Sequence, residues 1–423
     1  MTFRRISVAV LLAASGALAL ASPRLVGSIP AELPTRLTDQ QFWKLSDDLS
    51  EPDGVFQSDN LLSNELVFAR AVPDLVARIK PGGVYLGVGP EQNFTYIAAL
   101  KPKMAFITDV RRGNLHLHLM YKALFELSAN REEFVSRLFT KPRPANSLPP
   151  GASAKELFAA FWETPTSDEN VYAANLNAIL EHLTKRRGLP LSSDDREGIA
   201  RVYRAFHWYG PGMIYSARTG LSTPVGGRGT TYRDLMTQAD ASGQEYSYLA
   251  SEESFNAVKE LESRNLIVPV VGNFAGPKAL KAVGSYVRDR GAIVNVFYLS
   301  NVESYLRRAG TAWTDFCKSV ATFPLDETSV FIRPMGNGLP TTVHSLMANI
   351  GTPTGGVNGF TGVTFVTGTT GSADTQVRFV TVSGTNSARS ALDPIAEEIK
   401  ACASASRPSA STRTTSESGR AGR

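Results

Sequence analysis

Seven consecutive residues, Gly87-Val88-Gly89-Pro90-Glu91-Gln92-Asn93, are the part of this sequence best suited to holding a ligand, and Asp109 follows Gly89 by 20 positions. Where a strand turns through a glycine loop into a helix, the first glycine permits a tight turn. The second lets a ligand approach the backbone, and the helix start offers unpaired N–H groups. Gly87 and Gly89 fill those two roles. A carboxylate ending the next strand can accept both hydroxyls of a ribose, the task expected of Asp109. Gln92 stands where a dinucleotide loop has its third glycine, and Glu91 adds a negative charge, so crowding and repulsion disfavour a pyrophosphate. A cationic or neutral nucleoside cofactor suits the loop better, with Gly87, Gly89, Glu91, Asn93 and Asp109 as its expected contacts.

Further polar residues fall near the same cleft. Arg111 and Arg112 follow closely after Asp109 and are able to grip a carboxylate or phosphate in a bidentate way, or else to fix a surface loop. Asn273 follows one apolar run, and Tyr298, Ser300, Asn301 and Glu303 end or follow another. Strand C-terminal ends are where open α/β sheets bind ligands, although Ser and Asn in such places also serve as ordinary turn and cap residues. His116 and His118 are two positions apart, a spacing that on a helix points them to different faces and argues against a metal pair. His207, beside Trp208 and Tyr209, is a candidate general base or, more simply, part of a packed core. Neither H-E-x-x-H nor G-x-S-x-G occurs.

The elements that must position these residues follow from the apolar pattern. Strands are expected at Val84–Val88, Met104–Thr108, Leu266–Val271, Ile293–Leu299 and Ser329–Arg333. Helices are expected at Asn93–Leu100, Ser251–Arg264, Pro277–Arg290 and Val302–Val320. A helical pattern over Asn114–Phe139, with more helices near Ala154–Trp162, Glu169–Lys185 and Ser193–Phe206, makes a long insertion after the second strand. Strands separated by helices of this length pair in parallel, which gives an α/β, Rossmann-like, mostly parallel sheet.

Gly87-Val88-Gly89 with Asp109 resembles the cofactor half of the class I S-adenosylmethionine-dependent methyltransferases. The stretch from Phe42 to Arg333 further resembles a little-characterised bacterial family related to them. That likeness is carried by Tyr85 through Phe94, by Val270-Val271-Gly272-Asn273-Phe274-Ala275-Gly276, and by Phe297-Tyr298-Leu299-Ser300-Asn301-Val302-Glu303. The resemblance implies S-adenosylmethionine as cofactor. This chain departs from the superfamily at Tyr85, where an acid is usual, and at Glu91, where a small residue is usual. Glu91 would then replace the missing acid in holding the ammonium group.

Composition and termini bound the rest. The 44 basic and 39 acidic residues give a net charge of +5, too small and dispersed to call for nucleic acid. Arg4-Arg5, an apolar run from Ile6 to Leu20 and the small pair Ala19 and Ala21 have the order of a secretory signal, with an uncleaved membrane anchor as the alternative. The two cysteines, Cys317 and Cys402, are too few for a thiolate zinc site; Cys317 is expected as a buried, inert thiol, with a bridge between the two as the alternative.

The chain therefore divides into a leader (1–22) and a Rossmann-like methyltransferase-type domain (33–334, with its helical insertion at 114–210). An irregular or β appendage ending in a helix (335–400) and a disordered tail (401–423) follow. Two functions are open: a methyltransferase-like protein binding S-adenosylmethionine or a related nucleoside, or an exported non-catalytic protein that binds another small molecule in the same cleft. The leader favours the exported, periplasmic location; translation from a later start would leave the protein in the cytoplasm.

Overall fold

Short apolar runs supply the centre of the molecule because they can be buried on both faces. In the computed structural model they form β1 (Val84–Val88), β2 (Met104–Asp109), β3 (Ile267–Val271), β4 (Val294–Tyr298) and β5 (Val330–Ile332), and every residue in them is buried. Continuous burial is what a parallel sheet with helices on both sides requires. The described residues are 32–333, apart from 66–67, 145, 147, 218 and 220–228, plus β6 (Val363–Thr367), β7 (Arg378–Val382) and β8 (Leu392–Pro394). The expected leader, tail and appendage helix lie outside them.

The strands are ordered β3-β2-β1-β4-β5-β8, with β1 to β5 parallel and β8 antiparallel against β5. This is a Rossmann-like α/β fold. β6 and β7 pair antiparallel in a separate two-stranded sheet. From β1 the chain steps outward through β2 to β3, then crosses back to β4 and β5. The order reverses between β1 and β4, and the carboxyl ends of those strands flank a crevice.

Helix Gln92–Leu100 joins β1 to β2, and Ala279–Arg288 joins β3 to β4. Between β4 and β5 the single helix expected over Val302–Val320 is two, Val302–Leu306 and Ala312–Val320. Gly310 separates them at φ +56°, a left-handed conformation that an α-helix does not contain.

Between β2 and β3 lies the expected helical insertion, from Arg112–Leu127 through Arg131–Phe139, Ala154–Trp162, Glu169–Glu181, Ser193–Tyr209 and Tyr232–Met236 to Glu252–Ser263. Side chains of Asn130, Ser153, Asp168, Ser192, Thr231 and Ser251 accept the first free N–H groups of their helices, each worth about 1 kcal/mol. The insertion grips the loop helix through Phe94, whose ring meets His118, Tyr121, Phe125 and Tyr248 edge-on at 5.2–5.5 Å. Among the described residues no helix is long and apolar enough to cross a membrane.

Ahead of β1, helix Asp39–Leu49 starts in a Thr38/Gln41 capping box and packs against β3. Cys317 corrects the sequence expectation: it is buried but disulfide-bonded rather than a free thiol. Cys402, the other cysteine of the sequence, lies outside the described residues.

Candidate functional site

A cleft of about 360 Å3 opens at the carboxyl ends of the sheet, within the usual range for small-molecule sites. Its floor is Val88, Gly89, Pro90 and Gln92 after β1, with Asp109 and Val110 ending β2. Asn273, Phe274 and Ala275 follow β3, and Ser300, Asn301 and Val302 follow β4. The outer wall is the segment before β1, with Val55, Phe56, Asn60, Ser63 and Asn64, together with Tyr215 and Tyr305. Among the described residues lining it, Asp109 is the one charged side chain.

The loop is shaped from behind. Asn93 is fully buried, and its amide donates to the carbonyls of Val88, Gly89 and Pro90 at 2.9, 3.3 and 2.7 Å. Its Oδ1 accepts from the Tyr85 hydroxyl at 2.8 Å. A Cβ on Gly87 would sit 1.9 Å from that same Oδ1, so Gly87 is required by Asn93. Gly87 and Asn93 build the turn without facing the cleft, whereas Gly89, at φ +75°, does face it. His118 supports Gly89 from below: its Nε2 lies 2.9 Å from the Gly89 carbonyl, and burial pushes its pKa down to about 4, so it is neutral.

Glu91 behaves differently from its sequence expectation. Its carboxyl turns away from the cleft, is fully buried, and accepts the Ser63 N–H at 3.2 Å. Burial pushes its pKa up to about 8, so it is protonated and neutral near pH 7. It therefore neither repels a phosphate nor meets an ammonium group in the cleft, and the crowding at Gln92 is what remains of the case against a pyrophosphate.

Asp109 ends β2 at 5% exposure. Burial raises its pKa, opposed by the Arg111 charge, by the Arg111 N–H at 3.0 Å from Oδ1, and by the Asn60 side chain. Arg111 Nε stands 3.8 Å from Oδ1, and its Nε and Nη2 are buried without a hydrogen-bond partner. Arg112 points elsewhere. Its guanidinium clasps Asp195 in the insertion at 2.7 and 3.1 Å, and the pair fixes helix Ser193–Tyr209 to helix Arg112–Leu127.

At the other strand ends, Asn273 is both turn-former and cleft residue: its Oδ1 accepts the Ala275 N–H at 2.9 Å while the residue lines the wall. Ser300 lines the cleft at φ +48° and donates to the buried Glu65 carboxyl. Asn301 lines it with no side-chain cap bond to the helix that follows. Tyr298 lies behind Gln92, accepting its amide N–H at 3.0 Å. Glu303 holds Arg333 through two 2.8 Å bonds and is not a cleft residue. His116 faces Asp195 at 2.9 Å, away from His118, and His207 packs on Tyr172 with ring centroids 4.8 Å apart. Neither lines the cleft.

Three cleft residues had no individual signal in the sequence. Asn60 and Phe56 belong to a segment that reads as plain loop, and Gln92 reads only as a missing glycine. Asn60 lies close enough to Gly89 that a Cβ there would meet its Nδ2 at 3.1 Å, and it also bonds Asp109, so it spans the two best ligand groups.

No curated protein matches the chain. A family model described as a domain of unknown function, DUF7790, matches residues 62–173 and 227–352, more than half of the sequence and all five parallel strands, and the chain belongs to that family.

Proposed function

We propose that the protein is methyltransferase-like and binds S-adenosylmethionine or a related nucleoside in the cleft at the ends of β1, β2 and β4. The observation that carries this is Asp109: a buried carboxylate at the end of β2, in a cleft whose other described walls are amides, hydroxyls, aromatics and small apolar groups. Such a carboxylate is suited to the two hydroxyls of a ribose, and Val110 and Phe274 supply apolar surface for a base. The nucleoside half of the cofactor thus fits these residues. The methionine half would meet no carboxyl from Glu91, which is buried against Ser63 outside the cleft.

A second reading, an exported non-catalytic binding protein using this cleft, is favoured by two observations. One is that withdrawal of Glu91, and the other is the disulfide at Cys317, since disulfides persist mainly in oxidising compartments outside the cytoplasm.

Titration calorimetry with S-adenosylmethionine, S-adenosylhomocysteine and adenosine separates the two. Binding of any of the three supports the first reading, and binding of none in folded protein favours the second. Absence of heat with every one of them, in folded protein, would rule out a nucleoside site.

A further inference from the structure

The segment ahead of β1 runs across the carboxyl ends of the sheet and is pinned on both sides of the cleft. On one side the Glu51 carboxylate accepts the backbone N–H groups of Asn273, Lys278 and Ala279 at 2.8–3.0 Å, and the Gly54 N–H donates to the Val110 carbonyl at 2.8 Å. On the other, the Ser63 N–H donates to the Glu91 carboxyl. Between these anchors Asp59 is held by Thr219, whose N–H and hydroxyl it accepts at 2.7 and 3.1 Å. Asn60, the next residue, lines the cleft between Gly89 and Asp109. Its backbone stands at φ +50°, with its N–H on the Ser58 hydroxyl at 3.1 Å, so the side chain is delivered to the cleft by a fixed turn.

A ribose hydroxyl has one proton to donate and lone pairs that accept. An ionised carboxylate meets only the proton, so a second group must meet the oxygen. Among the described side chains lining the cleft, Asn60 is the one that hydrogen-bonds Asp109. Its amide has two N–H groups, and one can rest on Asp109 while the other reaches the ligand. We propose that Asn60 is a second ribose-contacting residue, donating to a sugar hydroxyl whose proton goes to Asp109, so that the two together select a ribonucleoside over its deoxy analogues. The proposal rests on the nucleoside reading above and adds a residue that the reading does not itself require.

Calorimetry of the full chain at about pH 8 with adenosine, 2′-deoxyadenosine and 3′-deoxyadenosine tests this in wild type, Asn60→Gly and Asn60→Asp. Glycine keeps the left-handed turn and removes the amide; aspartate keeps the size and the turn but, ionised, accepts without donating. Wild type should prefer adenosine to at least one deoxy analogue, and both variants should cut that preference roughly fivefold or more. An asparagine needed only for its turn would leave the preference whole, because all three nucleosides would then weaken by one common factor. No preference in wild type, a preference undiminished in either folded variant, or tighter adenosine binding by Asn60→Gly overturns the proposal. In those cases adenosine still binds and the nucleoside reading stands; if none of the three binds folded wild type, that reading fails and this proposal fails with it.

Discussion

The Tyr85 hydroxyl donates to Asn93 Oδ1 at 2.8 Å inside the sheet, so the residue standing where the resembled superfamily has an acid serves here to brace the glycine loop from behind. Asn93 in turn holds three successive loop carbonyls. Tyr85→Phe leaves a buried acceptor unpaired and is expected to cost about 1–3 kcal/mol in urea denaturation, with weaker ligand binding. An unchanged midpoint would show that the loop stands without this bond.

Gly89 combines φ +75° with a Cβ position 3.1 Å from Asn60 Nδ2. Gly89→Ala should cost roughly 1–2 kcal/mol of backbone strain and also push on Asn60. The expected signature is a lowered melting temperature with a larger loss of binding than Tyr85→Phe produces.

Glu91 makes stability depend on pH in a definite direction. Its pKa is about 8 in the folded protein against an ordinary 4.5, so the folded state favours the protonated form. The contribution is complete below about pH 4.5, declines as pH rises toward 8, and is level above that. Glu91→Gln, which mimics the neutral acid and still accepts from Ser63, should remove this decline. Relative to wild type the variant should gain on the order of a few kcal/mol between pH 5 and pH 8.5. Parallel stability curves for the two proteins would contradict the burial of this carboxyl.

Cys317 is disulfide-bonded, and a native disulfide typically contributes about 2–4 kcal/mol. Reduction, or Cys317→Ser, should therefore lower the melting temperature. A thiol assay on the unfolded protein should find reactive thiols only after reduction. Equal melting with and without reductant would show that the bond carries no stability.

The parts legible in the sequence were those governed by local rules. Gly87 and Gly89 have no substitute where a backbone must turn tightly, β1 and β2 announce themselves as apolar runs, and Asp109 follows at a spacing set by one helix and one strand. Helix Asp39–Leu49, which starts in the Thr38/Gln41 capping box, was not among the helices expected from the apolar pattern. In Val302–Val320 the apolar period continues on both sides of Gly310, so the break is fixed by one backbone conformation rather than by the pattern. The direction of Glu91 is set by Ser63 and by the insertion that buries it, and the partner of Arg112 is Asp195, 83 positions away. Asn60 reaches the cleft from a segment on the other side of β1, a relation no spacing rule contains.

The central claim is that Asp109 receives the hydroxyls of a ribose, and it is tested most directly by measuring adenosine against 2′-deoxyadenosine in wild type and in Asp109→Asn. Wild type should prefer adenosine roughly ten- to a hundredfold, the worth of a hydrogen bond to a buried carboxylate, and Asp109→Asn should lose most of that preference while keeping its fold. Equal affinity for the two nucleosides in wild type, or a preference undiminished in the variant, would contradict the assignment.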